Sequence, residues 1–177
     1  MRKNLFLWQL TGLTFTAVLG TILHFLYGWT KNPIVATFSA VNESTWEHIK
    51  LAFFPMLFFA VIEYPFSKDS AADFWQIKCV GILLSVALIP ILFYTLNGIF
   101  GKTPDWLNIL LYFISITTAY YVETKLFQKD AILPLPTLWA VGILLVLSLA
   151  FIFCTFFPPH IPLFQDPITG KFGIVHF

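Results

Sequence analysis

Residues 5–29 read LFLWQLTGLTFTAVLGTILHFLYGW, an apolar run in which His24 is the only side chain that titrates near neutral pH. A helix needs about 20 mostly apolar residues to cross about 30 Å of hydrocarbon. Secretory signal peptides also open with positive residues before an apolar run, but their apolar cores are only about 7 to 15 residues long. No Ala-x-Ala site follows the run here. We therefore predict a retained transmembrane helix.

The composition of the whole chain supports a membrane location. Hydrophobic residues make up 58% of the 177 residues and charged residues only 11%, whereas a soluble domain carries about 25% charge. The net charge is +1, which provides no basic surface for a phosphate backbone. The composition excludes a soluble enzyme, a nucleic-acid binder and a disordered linker.

Four further apolar segments follow the first, so we predict an all-α polytopic membrane helix bundle with about five transmembrane helices. The segment from Ser44 to Phe66 is the shortest in apolar length, because only 12 residues separate Lys50 from Glu63. It spans a membrane only if its charged ends reach polar surroundings. Pro158 and Pro159 end the last helix. The predicted helices cover about residues 5–29, 44–66, 75–100, 106–127 and 132–157 of a single domain, 1–177, with an ordered, extended C-terminal tail at 158–177.

The orientation follows from the lysine and arginine residues of the short loops. With five spans, one side of the membrane carries six basic residues and the other carries four. We predict a cytoplasmic N-terminus and a C-terminus outside. The cytoplasmic set is Arg2, Lys3, Lys68, Lys78, Lys125 and Lys129, and the outer set is Lys31, Lys50, Lys102 and Lys171.

The most polar heptapeptide of the chain, Asn42–His48, opens the second predicted helix. Ser44 and Glu47 fit a capping box, in which Ser44 accepts from first-turn amides and Glu47 folds back to the cap. Glu47 could instead pair with Lys50. Neither reading explains Glu43 and His48, which raises the alternative of a site for a ligand.

Two histidines and two carboxylates near one membrane face predict a divalent metal site, with zinc as one candidate. His24 shares a helix face with Gly12, Thr16 and Gly20, and small residues at that spacing mark a helix contact. The predicted metal ligands are His24, Glu47 and His48, with His160 from the tail, and Glu43 is the predicted general base. A haem bound by His24 and His48 is a further alternative.

Other polar residues complete the set of candidates. Asn42 belongs to the same polar block, and Asp166 of the tail would orient a ligand or hold the tail. At the opposite face, Glu63 ends the second predicted helix, and Glu123 follows Ser115 and Ala119 at a spacing of four, which turns it toward a neighbouring helix. Glu63 and Glu123 have either a structural role or a role in a proton or ion relay.

Three segments carry a resemblance to a known family: residues 23–29, residues 39–50 with the Asn-Glu-Ser-Thr-Trp-Glu-His block, and residues 162–170. The chain resembles an uncharacterised family of small bacterial integral membrane proteins, a domain of unknown function. The resemblance implies a multi-pass protein of the bacterial plasma membrane and supplies no reaction. Ser44 and His48 are also similar to the Ser-x-x-x-His pair of membrane zinc hydrolases of the alkaline ceramidase and adiponectin-receptor type. Those proteins have seven helices and a late His-x-x-x-His, which this chain lacks.

Two functional hypotheses from different classes result. The first is a metal-dependent hydrolase whose site lies on the extracytoplasmic face and acts on a lipid or small amphiphile. The second is a non-catalytic partner subunit or small transporter whose polar residues are structural. The lipid bilayer is the expected partner in both cases, and nucleic acid is excluded.

Overall fold

The computed structural model describes residues 2–67, 73–129 and 133–174, and these residues are helical apart from their connections and the tail. Five helices have 20 or more residues. A four-residue helix lies between the first two of them, and a 3₁₀ turn lies in the tail. The elements are α1 (Arg2–Thr30), α2 (Pro33–Ala36), α3 (Thr45–Ser67), α4 (Phe74–Phe100), α5 (Asp105–Gln128), α6 (Thr137–Phe156) and the 3₁₀ turn Pro162–Phe164.

Four of the long helices are long and apolar enough to cross a membrane. The qualifying segments are Asn4–Thr30, Thr45–Ser67, Phe74–Phe100 and Thr137–Phe156, in α1, α3, α4 and α6. Helix α5 has 24 residues, enough for about 36 Å, but it is less apolar because it carries polar residues such as Asn108, Tyr112 and Glu123. The all-helical class and four apolar helices are confirmed, and a spanning role for α5 stays a prediction.

Helix α3 is the centre of the bundle. The share of its apolar segment that is buried is 61%, against 17% to 28% in the other three segments. Phe53 and Phe54 of α3 are fully buried and pack against Phe151 of α6. Large apolar side chains such as Leu145 and Val146 are instead 59% and 65% exposed. An apolar outer surface around a packed interior indicates a membrane protein.

Long helices that follow one another in the chain run antiparallel. The Tyr112 hydroxyl of α5 donates to the backbone oxygens of Thr16 and Leu51, and the Tyr120 hydroxyl lies 2.9 Å from Thr16 Oγ1. At one end of α5, Thr103 bonds Asn97 and Asn108 across the α4–α5 connection. At its other end, Glu123 accepts a hydrogen bond from Lys78 near the start of α4. Helix α5 therefore runs the full length of the bundle.

The helix boundaries match the sequence predictions within a few residues, except at α6. Its predicted start, residue 132, lies outside the described residues, and the helix itself begins at Thr137. Leu133, Pro134 and Pro136 are not helical. The Leu133 amide donates to Asp73 Oδ2, and the prolines cannot supply amides to a helix. The later start of α6 is a correction.

The tail is ordered but is not simply extended. Its 3₁₀ turn is followed by a single antiparallel bridge between Gln165 and Phe172. Asp166 closes the turn between them, accepting from the Ile168 amide and the Thr169 hydroxyl. Phe164 packs on Trp46, and Gly173 accepts a hydrogen bond from Asn42. The tail therefore returns over the end of the bundle where α1 ends and α3 begins, which we call the histidine end. The opposite end, where α3 ends and α4 begins, is the lysine end.

Candidate functional site

The connection between α1 and α3 is tied to α1 beside His24. The Ser39 hydroxyl donates to the Leu23 carbonyl oxygen and accepts from the Tyr27 amide. The Ala40 amide also reaches Leu23 O, at 3.3 Å. Ser39 and Ala40 are buried. The backbone just before Glu43 is therefore held against the turn of α1 that carries His24.

The start of α3 presents Glu43 outward. Asn42 Oδ1 accepts from the Ser44 amide at 2.8 Å, and Ser44 Oγ accepts from the Glu47 amide at 3.4 Å. Ser44 is therefore the N-cap that the sequence predicts. Because α3 begins only at Thr45, Glu43 precedes the helix. It does not share a helix face with Glu47.

Glu43 lies between two histidines. Its Oε1 is 3.8 Å from His24 Nε2, and its Oε2 is 3.4 Å from His48 Nε2. The two imidazole centroids are 5.3 Å apart, and one ligand atom from each of the three residues lies within 4.8 Å of the others. We call His24, Glu43 and His48 the histidine–carboxylate site.

Hydrogen bonding prepares His48 as a ligand. Its Nδ1 lies 2.9 Å from the Ser44 carbonyl oxygen. A carbonyl oxygen can only accept, so the bond requires Nδ1–H and leaves the Nε2 lone pair of the neutral ring directed at Glu43. A histidine held in this way through its second nitrogen is typical of metal ligands.

The two contacts of Glu43 are close to the ligand spacing around a small divalent ion, while the three ligand atoms as a group lie within 4.8 Å of one another. Two ligand atoms on a tetrahedral zinc, each about 2.1 Å from the metal, lie about 3.4 Å apart. The two histidine–carboxylate distances are 3.4 and 3.8 Å. The side chains of His24, Glu43 and His48 are 25%, 43% and 37% exposed, so one side of the site is open. Three protein ligands and an open position are typical of catalytic zinc sites.

Glu47, which the sequence predicts as a ligand, lies elsewhere. Its Oε2 is 2.6 Å from Lys50 Nζ and accepts from the Val41 amide at 3.2 Å. Thr155 of α6 accepts from Lys50 at 2.8 Å and donates to Glu47 Oε1 at 3.1 Å. Lys50 also donates to the Ala36 carbonyl oxygen. The pairing with Lys50, an alternative left open by the sequence, is what the structure contains, and Glu47 does not join the two histidines.

The tail residues predicted near the site have other partners. The exposed His160 ring lies 4.6 Å from the Phe172 ring, and His160 is not in the group formed by His24, Glu43 and His48. Asp166 is buried in the tail's own turn. Asn42 Nδ2 donates to the Gly173 carbonyl oxygen at 2.8 Å. Asn42 therefore holds the tail, and its side chain is committed to the fold.

A second polar group lies at the lysine end. Lys78 Nζ of α4 is 2.7 Å from Glu63 of α3 and 2.7 Å from Glu123 of α5. Sequence reasoning selected both carboxylates but missed Lys78, which it counted as a loop charge. The one signal was its position inside the predicted helix 75–100, where a buried cation would need carboxylate partners, but an exposed lysine at a helix start has the same position in the sequence.

The fold and these two groups define a membrane helix bundle with an open histidine–carboxylate site at one end and a buried ion-pair group at the other. The chain belongs to a family of unknown function, DUF6512, whose model matches residues 1–174. No curated protein and no solved structure matches the chain significantly. The expectation of an uncharacterised family is confirmed, and its bacterial origin stays a prediction.

Proposed function

We propose that the protein is a multi-pass protein of the bacterial plasma membrane in which all five long helices span the bilayer. The course of α5 supports this. One end of α5 is joined through Thr103 to Asn97 near the end of α4, and Glu123 near its other end bonds Lys78 near the start of α4. A helix that traverses a bundle of spanning helices crosses the same thickness of membrane. The bacterial assignment rests on the family resemblance of the sequence alone.

The proposed orientation places the histidine end outside the cytoplasm. Lys50 and Lys78 are buried in ion pairs inside the bundle. They are therefore not counted among the basic residues of the loops. The count changes from six against four to five against three, still in favour of a cytoplasmic N-terminus. The histidine–carboxylate site then faces the extracytoplasmic side, and Glu63, Lys78 and Glu123 lie toward the cytoplasm.

The proposed function is binding of a divalent metal such as zinc by His24, Glu43 and His48. The observation that carries it is the convergence of their three ligand atoms within 4.8 Å. The Ser44 carbonyl oxygen, which orients His48 through Nδ1, adds support from outside the ligand set. Glu43 moves in this proposal from general base to ligand, because its two oxygens face the two histidines.

The chemistry that fits such a site is hydrolysis. A zinc ion with three protein ligands lowers the pKa of a bound water to about 7 and supplies a nucleophile at neutral pH. The partial exposure of the three side chains leaves room for a substrate, and the site lies at the end of the apolar bundle. A lipid or small amphiphile can present its polar group there while its chains stay in the bilayer. We therefore propose a metal-dependent hydrolase of such a substrate.

The second candidate is a non-catalytic partner subunit or small transporter. It is favoured because the polar residues next to the histidine–carboxylate site make structural contacts. Glu47 is committed to Lys50 and Thr155, and Asn42 to the tail. Under this reading Glu43 only contacts His24 and His48 and binds no metal.

Metal analysis of detergent-purified protein separates the two candidates. The first predicts about one equivalent of zinc in the wild type, and a loss of most of it in His24→Ala, Glu43→Gln and His48→Ala. His160→Ala is the matched control and should keep its zinc, because His160 packs against Phe172 outside the site.

Two outcomes would count against the proposal. A wild-type protein with no more zinc than the three variants, after incubation with zinc and desalting, leaves only the structural reading. Zinc binding without zinc-dependent cleavage of p-nitrophenyl esters or a fluorogenic phospholipid would retain the metal site and remove the hydrolase.

A further inference from the structure

The second polar group joins three helices at the lysine end and is closed to solvent. Glu63, Lys78 and Glu123 are 1%, 2% and 0% exposed. Lys78 Nζ donates to Glu123 Oε2 at 2.7 Å, and Glu63 Oε2 is an ion-pair contact at the same distance. The rings of Phe59, Phe74, Tyr120 and Phe127 surround the ammonium group at 5.5 to 6.0 Å. We call the three charged residues the lysine 78 centre.

The charges of the centre do not balance. Two ionised carboxylates against one ammonium leave a net charge of one negative unit in an apolar interior, where an uncompensated charge is costly. Four titratable groups near this end of the bundle also have partners outside the centre. Tyr120 bonds Thr16 and Tyr64 packs on Trp75, while Asp73 holds Leu133 and Lys125 lies over Tyr121.

Unpartnered polar atoms lie at the same end of the bundle. Among the described residues, Glu123 Oε1 is buried without a hydrogen-bond partner, and so are both amide atoms of Gln9 in α1. Gln9 precedes Gly12, whose Cβ position would touch Phe59 and Tyr120. Glu63 and Glu123 lie one turn beyond those two rings, on the side toward Gln9. A proton on a carboxylate would provide a donor in this region.

The geometry favours a proton over a metal cation. A Cβ atom added at Gly81 would lie 2.1 Å from Glu123 Oε1, so α4 packs closely against that carboxylate. Lys78 already occupies the space between the two carboxylates and repels a second cation. A metal ion such as sodium needs several oxygen ligands around it, whereas a proton needs only one oxygen to carry it and a second to accept.

We propose that the lysine 78 centre is a proton-binding site in which Glu63 and Glu123 share one proton at neutral pH. With that proton the centre is neutral overall and remains compatible with the membrane interior. The site is distinct from the histidine–carboxylate site, which lies at the other end of the bundle, and it does not depend on metal binding. Gain or loss of the proton changes the charge at the contact of α3, α4 and α5.

Infrared spectroscopy of the full-length protein in vesicles tests the charge balance, because a protonated carboxyl group has a C=O band separate from carboxylate bands. The wild type should show one such band that shifts slowly after transfer to D₂O, since the site is buried. Glu63→Gln and Glu123→Gln should each abolish it, because the remaining carboxylate pairs one to one with Lys78. Lys78→Met should add a second band.

The control is Glu43→Gln, which removes an exposed carboxylate and should leave the band unchanged. The two glutamine variants preserve side-chain shape and reduce buried charge, so they remain informative if Lys78→Met does not fold. Absence of the band in the wild type at neutral pH would overturn the proposal. Its survival in either glutamine variant would overturn the shared proton.

Discussion

Lys50 shows how one residue connects three elements at the histidine end. Its Nζ atom contacts Glu47 on its own helix, the Ala36 carbonyl oxygen of α2 and the Thr155 hydroxyl of α6. The side chain is fully buried. A buried cation is stable only when its donors are used in this way. Lys50 is thus part of the support beneath the histidine–carboxylate site.

Replacing Lys50 with methionine should be strongly destabilising. The change leaves the Glu47 carboxylate buried without its cation, which typically costs about 3 to 5 kcal/mol. Lys102→Met is the matched control, since Lys102 is exposed and should change stability by less than about 0.5 kcal/mol. Denaturant or thermal unfolding in detergent measures both.

The double variant Glu47→Gln with Lys50→Met should recover much of the loss, because no unpaired charge remains. Equal, small losses for Lys50→Met and Lys102→Met would contradict the buried ion pair.

The different positions of Glu43 and Glu47 show what the sequence could predict at this scale. The capping motif correctly identified Ser44, because a capping box depends on local spacing. Which of the two carboxylates lies beside the histidines depends on the residue at which helix α3 begins. Two residues four apart share a face only inside a helix, and Glu43 lies before Thr45. The partner Thr155 lies 108 residues from Glu47, a distance that no local pattern reveals.

At the scale of the elements, apolar length predicted the helices well because each long helix has an extended apolar run. The start of α6 was less predictable, since the bond from Leu133 to Asp73 joins two connections that are 60 residues apart. Helix α2 and the 3₁₀ turn were missed because four and three residues are too few for a periodic pattern. The stripe of Ser115, Ala119 and Glu123 was correctly assigned to a buried face.

Gly20 allows α1 to approach α3 and α5 closely. An added Cβ atom would lie 2.1 Å from Tyr112 Oη and 2.7 Å from the Leu51 backbone oxygen. Gly20→Ala should therefore destabilise the bundle by about 1 to 3 kcal/mol through overpacking. Gly28→Ala in the same helix is the control, because nothing lies within 4 Å of its Cβ position. It should be neutral or stabilising by up to about 1 kcal/mol.

Unfolding of the two glycine variants in the same detergent makes the comparison. A Gly20→Ala protein as stable as Gly28→Ala would show that α1 does not pack on Leu51 and Tyr112 at this distance.

In the whole molecule, the two polar groups lie at opposite ends of one apolar bundle. Sequence reasoning located the histidine end from its dense polar block, and it placed Glu63 and Glu123 on the other face. It missed the lysine 78 centre, because one lysine near a helix start looks the same whether it is in a loop or buried. Only the packing of α3, α4 and α5 distinguishes the two cases.

The proposed topology predicts which connections are reachable from each side of the membrane. Single cysteines in place of Lys102 or Lys171, in a background without Cys79 and Cys154, should react with an impermeant maleimide on intact cells. A cysteine in place of Lys129 should react only after permeabilisation, because an odd number of spans separates it from Lys102. Lys68 would give the same result as Lys129, but it lies outside the described residues.

The two ways in which this prediction can fail have different meanings. Labelling of positions 102 and 129 from the same side would show that α5 does not cross the membrane. A reversal of all three positions would retain five spans and invert the proposed orientation.

The bonds from Lys50 to Thr155 and from Asn42 to Gly173 join residues 105 and 131 positions apart. A ribosome adds about 5 to 20 residues per second, so about 5 to 20 s separates the synthesis of Lys50 from that of Thr155. For that interval the nascent α3 carries a lysine and a glutamate without their third partner. We expect α3 to settle fully only after α6 is inserted, because the Lys50–Glu47 pair lacks Thr155 until then. A chain truncated before Thr155 cannot complete this polar network.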